Sequence, residues 1–132
     1  MQSRPIATEQ DVEAATVLPH RTNWGKRVAD PVVFKELVAR SQLALVAEID
    51  GQVVGFLRAL TDGILSGCIP MVVVAGERRG QGIGSALVRT AMGEKPEITG
   101  VLRAGRDGVS AFYEKLGFKP YEVAMERPGQ PS

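Results

Sequence analysis

The chain has 132 residues, 44% hydrophobic and 23% charged, which suits one domain with a real core and excludes a disordered segment. The 16 basic residues nearly balance the 15 acidic ones, so the net charge of +1 excludes a broad electrostatic grip on nucleic acid or an anionic membrane. A single cysteine, Cys68, excludes an internal disulfide and a cysteine-built metal cluster, and fits a reducing compartment.

Along the chain, "MQSRPIATEQ" holds no apolar secretion segment, and no run approaches membrane-spanning length, so a cytoplasmic location is expected. Thr8 can cap a helix to about Leu18, with Val12, Ala15 and Leu18 on one side and Pro19 as a stop. After a loop holding His20 and Trp24, "DPVVFKELVAR" reads as a second helix, Asp30 at its N-cap and Pro31 at its first position. Val33 with Leu37, and Phe34 with Val38, have the spacing of an apolar face.

The pattern then changes to strands. "LALVAEI" and "QVVGFLRAL" flank Asp50-Gly51, a dipeptide that favours a tight hairpin. A turn at Thr61-Asp62-Gly63 leads to "CIPMVVVA", apolar on both faces and suited to the middle of a covered sheet, with Cys68 as a small buried residue. A glycine-rich loop and a helix over residues 83–92 follow. "EITGVLRAG" reads as a strand, "GVSAFYEKLG" as a helix closed by Gly117, and "FKPYEVAMER" as one or two short strands. The tail at 127–132 reads as loose. The whole is a single α/β layered domain over residues 1–132, and the strands joined by turns must run antiparallel.

The strand, "ERRGQGIGSAL" and helix together form an anion site. Unpartnered N–H groups and the helix dipole face the ligand, glycines let the backbone approach, and Arg78 and Arg79 add charge. The Walker pattern is absent. The dinucleotide pattern also fails, since the sixth position is Ser85 counted from Gly80 and Leu87 from Gly82.

What remains is Arg79, Gly82 and Gly84 in the form Arg-x-x-Gly-x-Gly. With "AFYEKLGF" about thirty residues on, this resembles the GNAT superfamily of acyl-CoA-dependent N-acetyltransferases over nearly the whole chain. The segments "NWGKR", "VVGFLRALTDG" and the strand into "RRGQGIG" resemble small members related to arylalkylamine (serotonin-type) acetyltransferases.

The resemblance implies a mixed, mostly antiparallel central sheet flanked by helices, and acetyl-CoA as co-substrate. It implies transfer to a primary amine of a small molecule or peptide, directly in a ternary complex and with no metal. Val72, Val73 and Val74 are then expected to offer backbone groups to the pantetheine arm. Arg79, Gly80, Gln81, Gly82, Ile83, Gly84 and Ser85 are expected to wrap the pyrophosphate, and Phe112 to form a wall. A backbone N–H near residues 72–74 would stabilise the oxyanion. Tyr113 occupies the place of the general acid, and His20 and Trp24 border the acceptor site.

Three departures stand out. The acidic residue many relatives carry near Met71 is missing, leaving His20, Glu48, Asp62 and Glu122 as base candidates. An asparagine of the family is replaced near Arg106. The first strand is expected to be nearly missing, because "SRPIAT" is short and proline-broken, leaving a sheet edge that a second protomer could complete as a homodimer. A non-catalytic acyl-CoA-binding module is the competing reading.

Overall fold

The computed structural model describes residues 1–22, 30–93, 96–102, 109–120 and 125–129, with backbone alone for 19–22 and 109–110. The elements run β1 (Gln2–Pro5), α1 (Glu9–Thr22), α2 (Pro31–Ala39), β2 (Leu43–Ile49), β3 (Gln52–Thr61), β4 (Ser66–Val74), a 3-10 turn (Gly76–Arg78), α3 (Ile83–Met92), β5 (Thr99–Val101) and α4 (Val109–Glu114). The strands form one sheet in sequence order, antiparallel from β1 to β4 and parallel between β4 and β5. This is the layered α/β fold that the sequence predicts. The β2–β3 hairpin turns through Asp50 at φ +50° and Gly51 at φ +79°, the two left-handed positions its tight turn requires.

Strand alternation gives the sheet two covered faces. Phe56 of β3 meets Phe34 of α2, ring centroids 5.2 Å apart, so α1 and α2 lie on the Phe56 side. On the other side, Gly55 leaves room for α3. A Cβ there would stand 3.0 Å from Ile83 Cγ2 and 3.1 Å from Leu87 Cδ1. Leu45, Val46, Phe56, Leu57, Ile83 and Leu87 are all core residues, filling both layers.

The first strand departs from expectation: it is present. Gln2 to Pro5 pairs with β2 from Gln2↔Glu48 to Pro5↔Leu45, so this edge is completed within the chain. Pro5 closes an edge strand, where its missing N–H removes little pairing. The strand is pinned by charge. Arg4 grips both carboxylate oxygens of Asp11 at 2.8 and 2.9 Å and reaches Glu48 at 2.9 Å.

Asp11 also accepts from the backbone N–H of Ala7 and Thr8, while its own N–H donates to Thr8 Oγ1. That reciprocal pair is a capping box, so Thr8 caps α1 as its sequence position predicts. The Arg4 guanidinium first, and the two backbone donors with it, hold the Asp11 carboxyl far below the usual carboxylate range. A depressed carboxyl stabilises the fold fully above its unfolded value of about 4, and that contribution is lost as pH falls towards the folded one. Asp11→Asn is therefore expected to cost about 2 kcal/mol at pH 7, by loss of the cap and the charged hydrogen bonds. The gap to wild type should narrow at pH 3, read from urea midpoints at both pH values. An equal gap at both would leave Asp11 with only its shape to contribute.

Three smaller expectations change. Helix α1 continues past Pro19 to Thr22, since a proline there removes one donor without forbidding a last turn. Cys68 is only partly buried, because it lies where β4 meets the short outer strand β5. Residues 118–120 and 125–126 are not in strands; 121–124 lie outside the described residues.

Candidate active site

Pairing between β4 and β5 is brief. It runs through Ser66↔Thr99, Gly67↔Gly100 and Cys68↔Val101 and stops there. Beyond that rung, among the described residues, the β5-side edge of residues 69–74 has no strand partner, while their other edge stays paired with β3 up to Gly55↔Val74. Just past the last rung the β3–β4 register slips: Arg58 faces Met71 and Leu60 faces Cys68, so Ile69 and Pro70 together oppose Ala59. This is a β-bulge, one of the few places inside a strand that tolerates a proline.

The end of β4 feeds the glycine loop. Ala75 still donates to the Val54 carbonyl at 2.8 Å, the 3-10 turn follows, and Gly80 and Gly82 both take φ +81°. Gly82 is the N-cap of α3, and no side chain caps that end. The N–H groups of Ile83, Gly84 and Ser85 therefore open the helix without a side-chain acceptor, and the helix dipole points its positive end at the loop. Arg79, Gly80, Gln81 and Gly82 are exposed around it. The Ile83 side chain is instead part of the core beneath Gly55, so only its backbone faces the loop.

Gly84 brings the second motif to the first. A Cβ on it would meet Phe112 Cζ at 3.3 Å and Val74 Cγ2 at 3.7 Å, so α4 is seated against the head of α3 and the end of β4. Tyr113 is half-buried, edge-on to Phe112 at 4.9 Å and to Phe118 at 5.6 Å. Its hydroxyl has no hydrogen bond among the described residues, and burial raises its pKa above the usual value near 10.

The base candidates fare differently. Glu48 is held by Arg4 at the β1–β2 edge, far across the sheet from β4. Asp62 accepts from the N–H groups of Ile64, Leu65 and Ser66, which lower its pKa and make it a poor base. Trp24, Arg106 and Glu122 lie outside the described residues, as does the side chain of His20. Met71, where the family acid was expected, is 4% exposed.

A cradle of exposed glycine backbone and uncapped helix N-terminus, beside an unpaired strand edge, fits a pyrophosphate joined to an extended, amide-bearing arm. A family model for the acetyltransferase (GNAT) domain matches residues 40–120. The chain belongs to the GNAT acetyltransferases. This GNAT domain is accordingly an N-acetyltransferase with acetyl-CoA as co-substrate.

No curated protein matches the sequence. Among solved structures, the GNAT chain is similar to a Deinococcus radiodurans R1 protein assigned as an acetyltransferase, at 28% identity and TM-score 0.71, covering 99% of this chain and 94% of that one. Aminoglycoside 6'-N-acetyltransferase AAC(6')-IG from Acinetobacter haemolyticus matches at 22% identity and TM-score 0.71, over 100% of both chains. An aminoglycoside 6'-N-acetyltransferase complexed with coenzyme A matches at 24% and 0.57, over 69% of this chain and 53% of that one. At such identities the last two speak for the fold alone. No described helix of the GNAT domain is long and apolar enough to cross a membrane.

Sequence reasoning passed over the bulge at Ile69-Pro70 and the role of Gly55. A proline inside an otherwise strand-like run was the available signal for the first. Gly55 had a weaker one, an isolated glycine within a strand pattern.

Proposed function

We propose that this domain moves the acetyl group of acetyl-CoA directly to a primary amine of a small molecule or peptide, with both substrates bound at once. The observation that carries the reading is the adjacency of the uncapped α3 N-terminus to the edge of β4 that, among the described residues, has no strand partner beyond Cys68. Backbone N–H groups of residues 80–85, with the Arg79 side chain, hold the pyrophosphate. The backbone of Val72, Val73 and Val74 binds the pantetheine amides as an added strand would, and Phe112 walls the arm.

Acetyl-CoA supplies an activated acyl group as a thioester. A backbone N–H of residues 72–74 stabilises the charge that develops on the carbonyl oxygen. As the amine's C–N bond forms and the C–S bond breaks, the Tyr113 hydroxyl donates its proton towards the departing sulfur. The ammonium proton leaves through water.

Thermal unfolding tests the reading, with acetyl-CoA, NAD and ATP in parallel. Acetyl-CoA at a hundred times its Kd is expected to stabilise the fold by about 2.7 kcal/mol. NAD and ATP should leave the melting temperature unchanged, and a panel of amines should then release free thiol. Binding without turnover by any amine would replace the enzyme with an acyl-CoA-binding module. No shift with acetyl-CoA would sink the pyrophosphate assignment itself.

A further inference from the structure

Arg58 is a half-buried cation without an acidic partner among the described residues. Its Nε donates to Ser41 Oγ at 3.0 Å, and Ser41 in turn donates to the Leu37 carbonyl at 2.6 Å, just past the end of α2. Among the described residues no carboxylate forms an ion pair with it, and neither Nη donates a hydrogen bond. Burial accordingly lowers its pKa, opposed among the described residues by nearby Cys68. A guanidinium carries four N–H groups on its two Nη atoms, arranged as a planar fork. Partly desolvating that fork is costly unless an anion balances it, and among the described residues none does.

Its position says which molecule brings the anion. Arg58 alternates with Phe56 and therefore lies on the α1–α2 face, opposite the glycine loop and α3. It pairs with Met71, directly beside the bulge, and the last β4–β5 rung, Cys68↔Val101, is close by. With the coenzyme held at the α3 N-terminus as proposed above, the amine is taken to approach from the α1–α2 face. On that same face Leu60 is 36% exposed and Val101 is 56% exposed, an apolar floor next to the cation.

We propose that Arg58 receives a carboxylate of the acceptor, so that the acetylated amine belongs to an amino acid or another amino-carboxylate with an apolar side chain. The planar fork matches a carboxylate bidentately, and a single positive charge balances a single negative one. The Ser41 contact occupies Nε and leaves the Nη pair to meet the carboxylate. Arg58 is thus a specificity-determining residue for the acetyl transfer proposed above, on which this inference rests.

The test compares matched acceptors: phenylalanine against phenethylamine, and alanine against ethylamine, by thiol release at saturating acetyl-CoA. Wild type is expected to favour the carboxylate member of each pair by roughly 30-fold in kcat/KM, as expected when a buried polar group would otherwise go unpaired. Arg58→Met should collapse that ratio to near one, and Arg58→Lys should restore part of it. The acetyl-CoA melting shift, measured on each variant, shows that it is folded. Equal or better turnover of the carboxylate-free amines by wild type would overturn the inference and leave the acetyltransferase standing. So would an Arg58→Met that lowers both members of a pair alike, which is the behaviour of a residue serving only the end of α2. Absence of turnover with any amine would take the enzyme reading down as well.

Discussion

Tyr113→Phe is expected to lower kcat about 100-fold while changing the KM for acetyl-CoA by less than about threefold, the loss typical of a positioned general acid. Packing makes the variant clean. The Tyr113 ring is held edge-on by Phe112 and Phe118, and its hydroxyl has no hydrogen bond among the described residues. Phenylalanine keeps both ring contacts and removes only the oxygen, so the melting temperature should stay within a degree or two.

Burial raises the Tyr113 pKa above its usual value, so the phenol stays protonated across the neutral range. A coenzyme thiol near 8.5 is less basic than such a phenolate, so the hydroxyl assists by a strong hydrogen bond with partial proton transfer. Wild-type kcat should therefore show its alkaline fall only above the range in which a free phenol ionises, whereas Tyr113→Phe should lack that limb. A kcat within twofold of wild type would make the residue a packing element and nothing more.

Gly55→Val should be the most destabilising single substitution, at about 3 kcal/mol, with a melting temperature roughly 10 °C lower. The site cannot relax cheaply. Its missing Cβ points at Ile83 Cγ2 and Leu87 Cδ1, 3.0 and 3.1 Å away, and the Val73 carbonyl oxygen stands 3.3 Å off. The first two atoms belong to the fully packed face of α3, and the third is sheet backbone. Alanine alone requires them to give way by some tenths of an ångström; valine adds two methyl groups and pushes α3 off the sheet.

The consequence reaches the site, because Ile83 is also the first residue of α3, whose N-terminus faces the glycine loop. Gly55→Val that still folds should bind acetyl-CoA more weakly than wild type, read by the ligand-induced melting shift. Full stability with valine at this position would mean that the close approach of α3 is not needed to build the loop.

Much of this architecture is legible locally. The Asp50-Gly51 hairpin, the Thr8 and Asp30 caps and the α3 boundaries each follow from a few adjacent residues, and each is realised. The edge strand β1 was harder to see because its support is distant. A strand of four residues with a proline reads as loop until Arg4 is placed against Asp11, seven residues on, and Glu48, forty-four residues on. Asp62 and Glu48 look equally available as bases in a string of letters, yet one is saturated by three backbone donors and the other by an arginine.

The sequence by itself determined the family and the place of the glycine loop, since both depend on residue types at short fixed spacing, where backbone conformation is decided by near neighbours. Gly80 and Gly82 both turn left-handed there, which glycine does without steric cost. Only the tertiary structure decided where the described β4–β5 pairing ends, that Phe112 seats against Gly84, and that Arg58 ends half-buried with no counter-charge among the described residues. Those are outcomes of packing between segments tens of residues apart. Burial, and with it the cost of an unpaired charge, exists only once the layers have closed.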